Sequence, residues 1–165
     1  MRLPIFFFFL LLTTPVLRAA DDAAAQTATL REQCEETERA LVFGCLANSN
    51  KHDGNWPASL DDMIASAPPK KFGPNALVSP DAPAIAKPFL YVRPIPLAAA
   101  TQPLVIEDPQ CNQGQGSMVA YCDGHTLWSP GTALWIRAQA LAALPESATT
   151  GISPQQWTDP LPQKP

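Results

Sequence analysis

The residues best suited to chemistry are few, and they sit in turns. The stretch SMVAYCDGHTLWSP, Ser117 to Pro130, places Asp123 and His125 either side of Gly124 between two runs of β-formers. A carboxylate beside an imidazole can do general acid–base work if the pair is oriented and within hydrogen-bond reach of a substrate. The other histidine, His52, stands next to Asp53 in NSNKHDGNW, again a turn sequence. Zinc takes three or four such donors. His52, Asp53, Asp123 and His125 would therefore form a metal or small-ligand site only if the two turns met. No G-x-S-x-G elbow or similar nucleophile pattern is present. Gly114 and Gly116 in CNQGQGS lack the Lys-Ser/Thr and the following helix of a phosphate cradle. The expectation is no catalytic residue, no cofactor and no metal ligand, and a chain that is not an enzyme.

Four cysteines are the other reactive groups: Cys34, Cys45, Cys111 and Cys122. No CxxC or metal-type spacing occurs among them. An even count suits disulfides in an oxidising compartment. Cys34 and Cys45 cannot pair if they share one helix, because eleven residues at helical rise separate them by roughly 16 Å. Either both bond to Cys111 and Cys122, or Cys111 bonds to Cys122 and the helix pair stays reduced. Burial as free, small apolar thiols is an equal alternative for the helix pair.

The elements that position these residues begin with a leader. MRLPIFFFFLLLTTPVLRAA has a basic Arg2, an apolar run Ile5–Leu12 and a small-residue end. That is the layout of a secretory signal peptide over residues 1–20. The run is short of the about 20 apolar residues a span needs, so an uncleaved short anchor is the lesser alternative. The protein is expected to be secreted or periplasmic, touching membrane only if the leader is uncleaved. Its net charge of −4 argues against a nucleic-acid partner. A single domain over 21–144 is expected, followed by a disordered, Pro-rich tail over 145–165.

Within that domain the periodicity predicts a long helix from about Ala23 to Asn48. Leu30, Cys34, Thr37, Leu41 and Cys45 form its inner stripe, and Arg31, Glu32, Glu35, Glu36, Glu38 and Arg39 its outer sides. Glu35 and Arg39 are placed to pair. The helix should end at NSNKHDGNWP, where Asn55, Trp56 and Pro57 complete the turn, Pro57 disfavouring helix at Trp56. A short helix capped by Ser59 follows, with Leu60, Met63 and Ile64 inward. Phe89–Arg93 and Pro103–Asp108 read as strands, the first short or peripheral because prolines flank it. Asp123-Gly124 is a hairpin signal for a two-residue type I′ turn. That register sets Cys122 opposite His125 and Val119 opposite Trp128. Val119, Tyr121, Thr126 and Trp128 would then share the face toward the long helix. A last helix follows, carrying Leu134, Ala138, Leu141 and Leu144. The fold class is α+β: a long N-terminal α-helix packed on a small antiparallel β-sheet, with short helices including one after the last hairpin.

Several pieces occur in an order that resembles a known family. ALVFGCLANSNKHDGNWPASLDDMI, LVSPDAP, FLYV and GSMVAYCDGHTLW are similar to the globular part of type IV pilin-like and type II secretion pseudopilin-like proteins. The likeness is strongest to the bacterial group with the prepilin-processing-associated H-x9-D-G motif. Tyr121, Cys122, Asp123, Gly124, His125 and Trp128 match its last hairpin. The likeness covers about Ala40 to Leu144. The motif's first His falls at Gln113, and the Gly-Phe-type processing site and early helix Glu of prepilins are missing. The resemblance implies a non-enzymatic structural or interaction domain, acting in envelope or secretion-system assembly. Its partners would be other envelope proteins or copies of itself.

Overall fold

The computed structural model describes residues 14–68, 71–73, 75–96, 100–145 and 150–160. The fold is α+β, a long N-terminal helix on a four-stranded antiparallel sheet. Helix α1 spans Thr14–Lys51. It starts earlier and ends later than the periodicity suggested, because the Ala-rich sequence after Pro15 contains no helix breaker. It ends where Asp53 (φ 53°) and Gly54 (φ 83°) turn left-handed, with the Gly54 N–H donating to Ser49 O at 3.0 Å.

Among the described side chains of α1, the first buried one is Cys34. Residues 24–30 are exposed, whereas Cys34, Glu38, Leu41, Val42, Cys45 and Ser49 are buried. One position departs from the expected stripe. Thr37 is only half-buried, and Glu38, expected on the solvent side, is fully buried. The spacings 34, 38, 41 and 45 keep one helical face, so the geometry is regular and only the residue type is unexpected.

Helix α2, Leu60–Ser66, is capped by Ser59, whose Oγ accepts from the Asp62 N–H at 3.0 Å and donates to Asp62 Oδ2 at 2.7 Å. Leu60 and Met63 face the core as the pattern required, and Ile64 packs partly buried against it. The sheet runs in the order β1 (Phe89–Tyr91), β2 (Pro103–Glu107), β3 (Gly116–Tyr121), β4 (Thr126–Pro130). As expected of a strand between prolines, β1 is short and at an edge. A 3-10 turn, Pro109–Asn112, joins β2 to β3.

The β3–β4 hairpin slips by one residue from the expected register. Val119 lies opposite Leu127 and Met118 opposite Trp128. The loop has three residues, Cys122, Asp123 and Gly124. The Tyr121 N–H donates to His125 O at 3.0 Å, and the Gly124 N–H to Tyr121 O at 2.8 Å. Gly124 alone takes positive φ (90°); Asp123 does not, so the turn is not type I′. A one-residue slip moves every side chain of one strand to the other face. The face toward α1 is therefore built from Ala120, Cys122, Thr126 and Trp128, while Val119 and Tyr121 face away from it. The expected grouping is corrected on this point.

The sheet is thus sandwiched. On one side Leu41, Val42 and Cys45 of α1 and Leu60 and Met63 of α2 pack on Leu104, Val105, Ala120 and Cys122. On the other, Val92, Ile106 and Val119 pack on Ala138 and Leu141 of α3, Ala133–Ala142. Ile152 joins that second cluster with no exposure, and Trp157 packs partly buried against it. The segment expected to be a disordered tail is therefore folded over 150–160. Ile152 bridges Pro94 in parallel, and a short helix α4, Pro154–Thr158, is closed by a capping box between Ser153 and Gln156. Its composition is tail-like, but two large apolar anchors and a cap suffice to dock it. Among the described residues no helix is long and apolar enough to cross a membrane. The run Ile5–Leu12, on which the leader expectation rests, lies outside the described residues.

Candidate functional site

The hairpin tip brings Asp123 and His125 together. Asp123 Oδ1 accepts from the His125 main-chain N–H at 3.0 Å and also meets the ring at Nδ1. The imidazole stacks on Tyr121 with centroids 4.2 Å apart and planes 6° from parallel. Both side chains are about 40% exposed, at 39% for His125 and 41% for Asp123. The hydrogen bond from the His125 main chain, helped by the ring, holds the Asp123 carboxyl below its usual range. This arrangement ties an exposed loop to itself.

His52 and Asp53 lie exposed at the end of α1. Asn55 Nδ2 donates to His52 O at 2.9 Å, and Trp56 and Pro57 are buried under that turn. Tyr91 Oη donates to Pro57 O at 2.8 Å and so ties the turn to β1. No three ligand atoms drawn from His52, Asp53, Asp123 and His125 gather into a metal-sized group among the described residues. The other motif residues hold the hairpin to α1. The Phe43 ring covers Gly124, at 3.1 Å from where a Cβ would sit. Trp128 takes the Arg31 guanidinium 4.6 Å from its ring centroid. Thr126 Oγ1 donates to Glu35 Oε1 at 2.7 Å, beside the Glu35–Arg39 ion pair.

The densest collection of reactive groups lies elsewhere, between α1, β2 and the loop before β1. Glu107 ends β2 with 1% exposure. Its Oε1 accepts from Cys34 Sγ at 2.9 Å and from Ser79 Oγ at 2.7 Å. Its Oε2 accepts from Asn112 Nδ2 at 2.7 Å. Asp81 stands beside it, and one ligand atom each of Cys34, Asp81 and Glu107 lie within 4.8 Å of one another. Burial, then the neighbouring Glu38 and Glu107, push the Cys34 thiol far up. Burial and Glu107 also raise the Asp81 carboxyl.

Glu38 adjoins this group one helical turn beyond Cys34, fully buried. The Glu107 main chain approaches it, yet neither carboxylate oxygen has a partner at hydrogen-bond geometry. Burial, with Glu107 adding to it, drives the Glu38 carboxyl well above its ordinary value. The buried Oδ1 of Asp81 is likewise without a partner. An open cleft lined by Arg31, Asp81, Cys111 and Asn112 leads to the cluster from solvent.

All four cysteines are buried free thiols in this structure. Cys34 and Cys45 share α1, the condition under which the helical rise keeps them from pairing. Cys45 and Cys122 pack in one core cluster, and burial lifts each thiol to about 12.

Sequence reasoning missed Glu38, Ser79, Asp81 and Glu107 as a unit. Two signals were available: Glu107 closes PLVIE, whose other residues are apolar or proline, and Glu38 is spaced i, i+4 from Cys34. Their convergence depends on how α1 crosses β2, which no local pattern encodes. Comparison with family models, with curated proteins and with solved structures finds no match to this chain.

Proposed function

We propose that this protein is an exported, non-enzymatic structural or interaction domain with a pilin-like head, acting in envelope or secretion-system assembly. The observation that carries the reading is the reach of α1. Thirty-eight residues of helix meet strands of three to six residues. At the rise of an α-helix that is a rod of about 57 Å. Its side chains are exposed from residue 24 to residue 30, and Cys34 is the first buried one among those described. A helix much longer than the strands it packs on, with an exposed stretch at residues 24–30, is suited to bundling with other helices. The Ala-rich sequence of that stretch permits close helix–helix approach. The sequence resemblance over about Ala40 to Leu144 supports the reading, as does the Asp123–Gly124–His125 turn, whose side chains hydrogen-bond within their own loop. Its partners are envelope proteins or copies of this chain.

Two measurements on the full chain in a bacterial host test this. Cell fractionation should find the protein outside the cytoplasm. A photo-reactive side chain at Ala28 or Gln33 should cross-link to an envelope protein or to a second copy, while one on Asp61 of α2 should not. Retention in the cytoplasm, or an Ala28 probe that captures nothing in the envelope, would reject the reading.

A further inference from the structure

We propose that Cys34, Asp81 and Glu107 bind a borderline divalent transition-metal ion of the zinc class, with Glu38 supplying further negative charge. The first observation is geometric: a thiol and two carboxylates from three separate segments bring ligand atoms within 4.8 Å of one another. The second is independent of that spacing. Glu38 is fully buried on the same face of α1, next to Glu107, with both oxygens unpartnered. A buried carboxyl with no hydrogen bond is costly even as the neutral acid, and a cation beside it would let it ionise. Among the described residues no Lys or Arg forms a salt bridge with Glu38, Asp81 or Glu107; the Arg31 charge acts on Asp81 alone and leaves the buried Glu38 and Glu107 without a cation. A divalent cation would compensate that charge.

The donor set selects the ion. A thiolate with carboxylates suits zinc-class metals, whereas calcium and magnesium require oxygen shells of six or more. Binding would release the Cys34 proton, which at present goes to Glu107. Ser79 and Asn112 hold the Glu107 carboxylate in place, as outer partners of metal ligands do. The cleft past Asp81 and Asn112 is the entry path. The proposal is independent of the assembly reading, and either can fail without the other.

The test is cobalt titration of the reduced, purified full chain. One equivalent should produce a thiolate-to-cobalt charge-transfer band that zinc displaces and calcium or magnesium does not. Cys34→Ser should abolish the band, and Glu38→Gln should weaken cobalt binding by roughly tenfold or more. The double variant Asp123→Asn, His125→Ala should bind as the parent does. A folded parent with no band, a band that survives Cys34→Ser, or a Cys34 found in a disulfide in non-reduced peptide mapping would overturn the proposal. Should Cys34→Ser not fold, thermal unfolding of the parent decides: zinc must raise its midpoint over that in chelator, and equal midpoints reject the site.

Discussion

At Glu38 the chain buries a carboxyl that no hydrogen bond satisfies, on a helix face otherwise devoted to packing. A group of that kind reduces the stability of the metal-free fold. Glu38→Met, similar in volume and apolar, should raise that stability by about 1–3 kcal/mol. Urea unfolding at neutral pH in chelator measures this, and an unchanged or lower midpoint would contradict the burial argument. The opposite case is Asp123, exposed and satisfied. Its folded-state pKa is depressed by the His125 main-chain hydrogen bond. Such a group stabilises the fold above its unfolded value of about 3.9 and loses that contribution as pH falls through the lower folded value. Carbon NMR should therefore find its titration midpoint below that of a free aspartate. Asp123→Ala should flatten only the acid end of the stability profile, below about pH 4. A midpoint at or above the ordinary value would mean the loop hydrogen bond does not persist in solution.

The elements divide by how local their causes are. Helix α2 follows from Ser59 and two apolar positions, and β1 from the prolines that bound it. The hairpin does not reduce to its dipeptide. Asp-Gly permits both a two-residue I′ loop and a three-residue loop with Gly124 left-handed. The longer one occurs here and places Thr126 against Glu35 and Trp128 against Arg31, contacts made only once α1 is present. Gly124 is the residue this loop cannot spare. It holds φ 90°, and an added Cβ would lie 3.1 Å from the Phe43 ring. Gly124→Ala should cost about 1–2 kcal/mol in urea unfolding. A variant as stable as the parent would show that the turn relaxes without penalty.

For the molecule as a whole, the two faces of the sheet are closed by different parts of the chain. α1 and α2 cover one; α3 and the segment around Ile152 cover the other. The second cover is the one composition hides, since 150–160 is polar and Pro-containing except at Ile152 and Trp157. Ile152 is fully buried, with its neighbour Gly151 in the left-handed region and its main chain bonded to Arg93 and Gln102. Ile152→Ala should cost about 2–4 kcal/mol and should open the segment to protease well before the sheet unfolds. Equal proteolysis rates for parent and variant would show that this strap contributes nothing to the closed face.

The sequence by itself determined the class of fold, the order of α1 to α3 and the four strands, and the end of α1 at its Asp-Gly turn. These follow from spacing, caps and breakers within a few residues of one another. Only the tertiary structure decided the hairpin register, the docking of residues 150–160 and the meeting of Cys34, Glu38, Asp81 and Glu107. Each depends on contact between segments far apart in the chain. A periodic pattern records which face of an element is inward, but not what it will meet there. Glu38 was therefore assigned to solvent by its charge, although its position on the helix already placed it on the buried face.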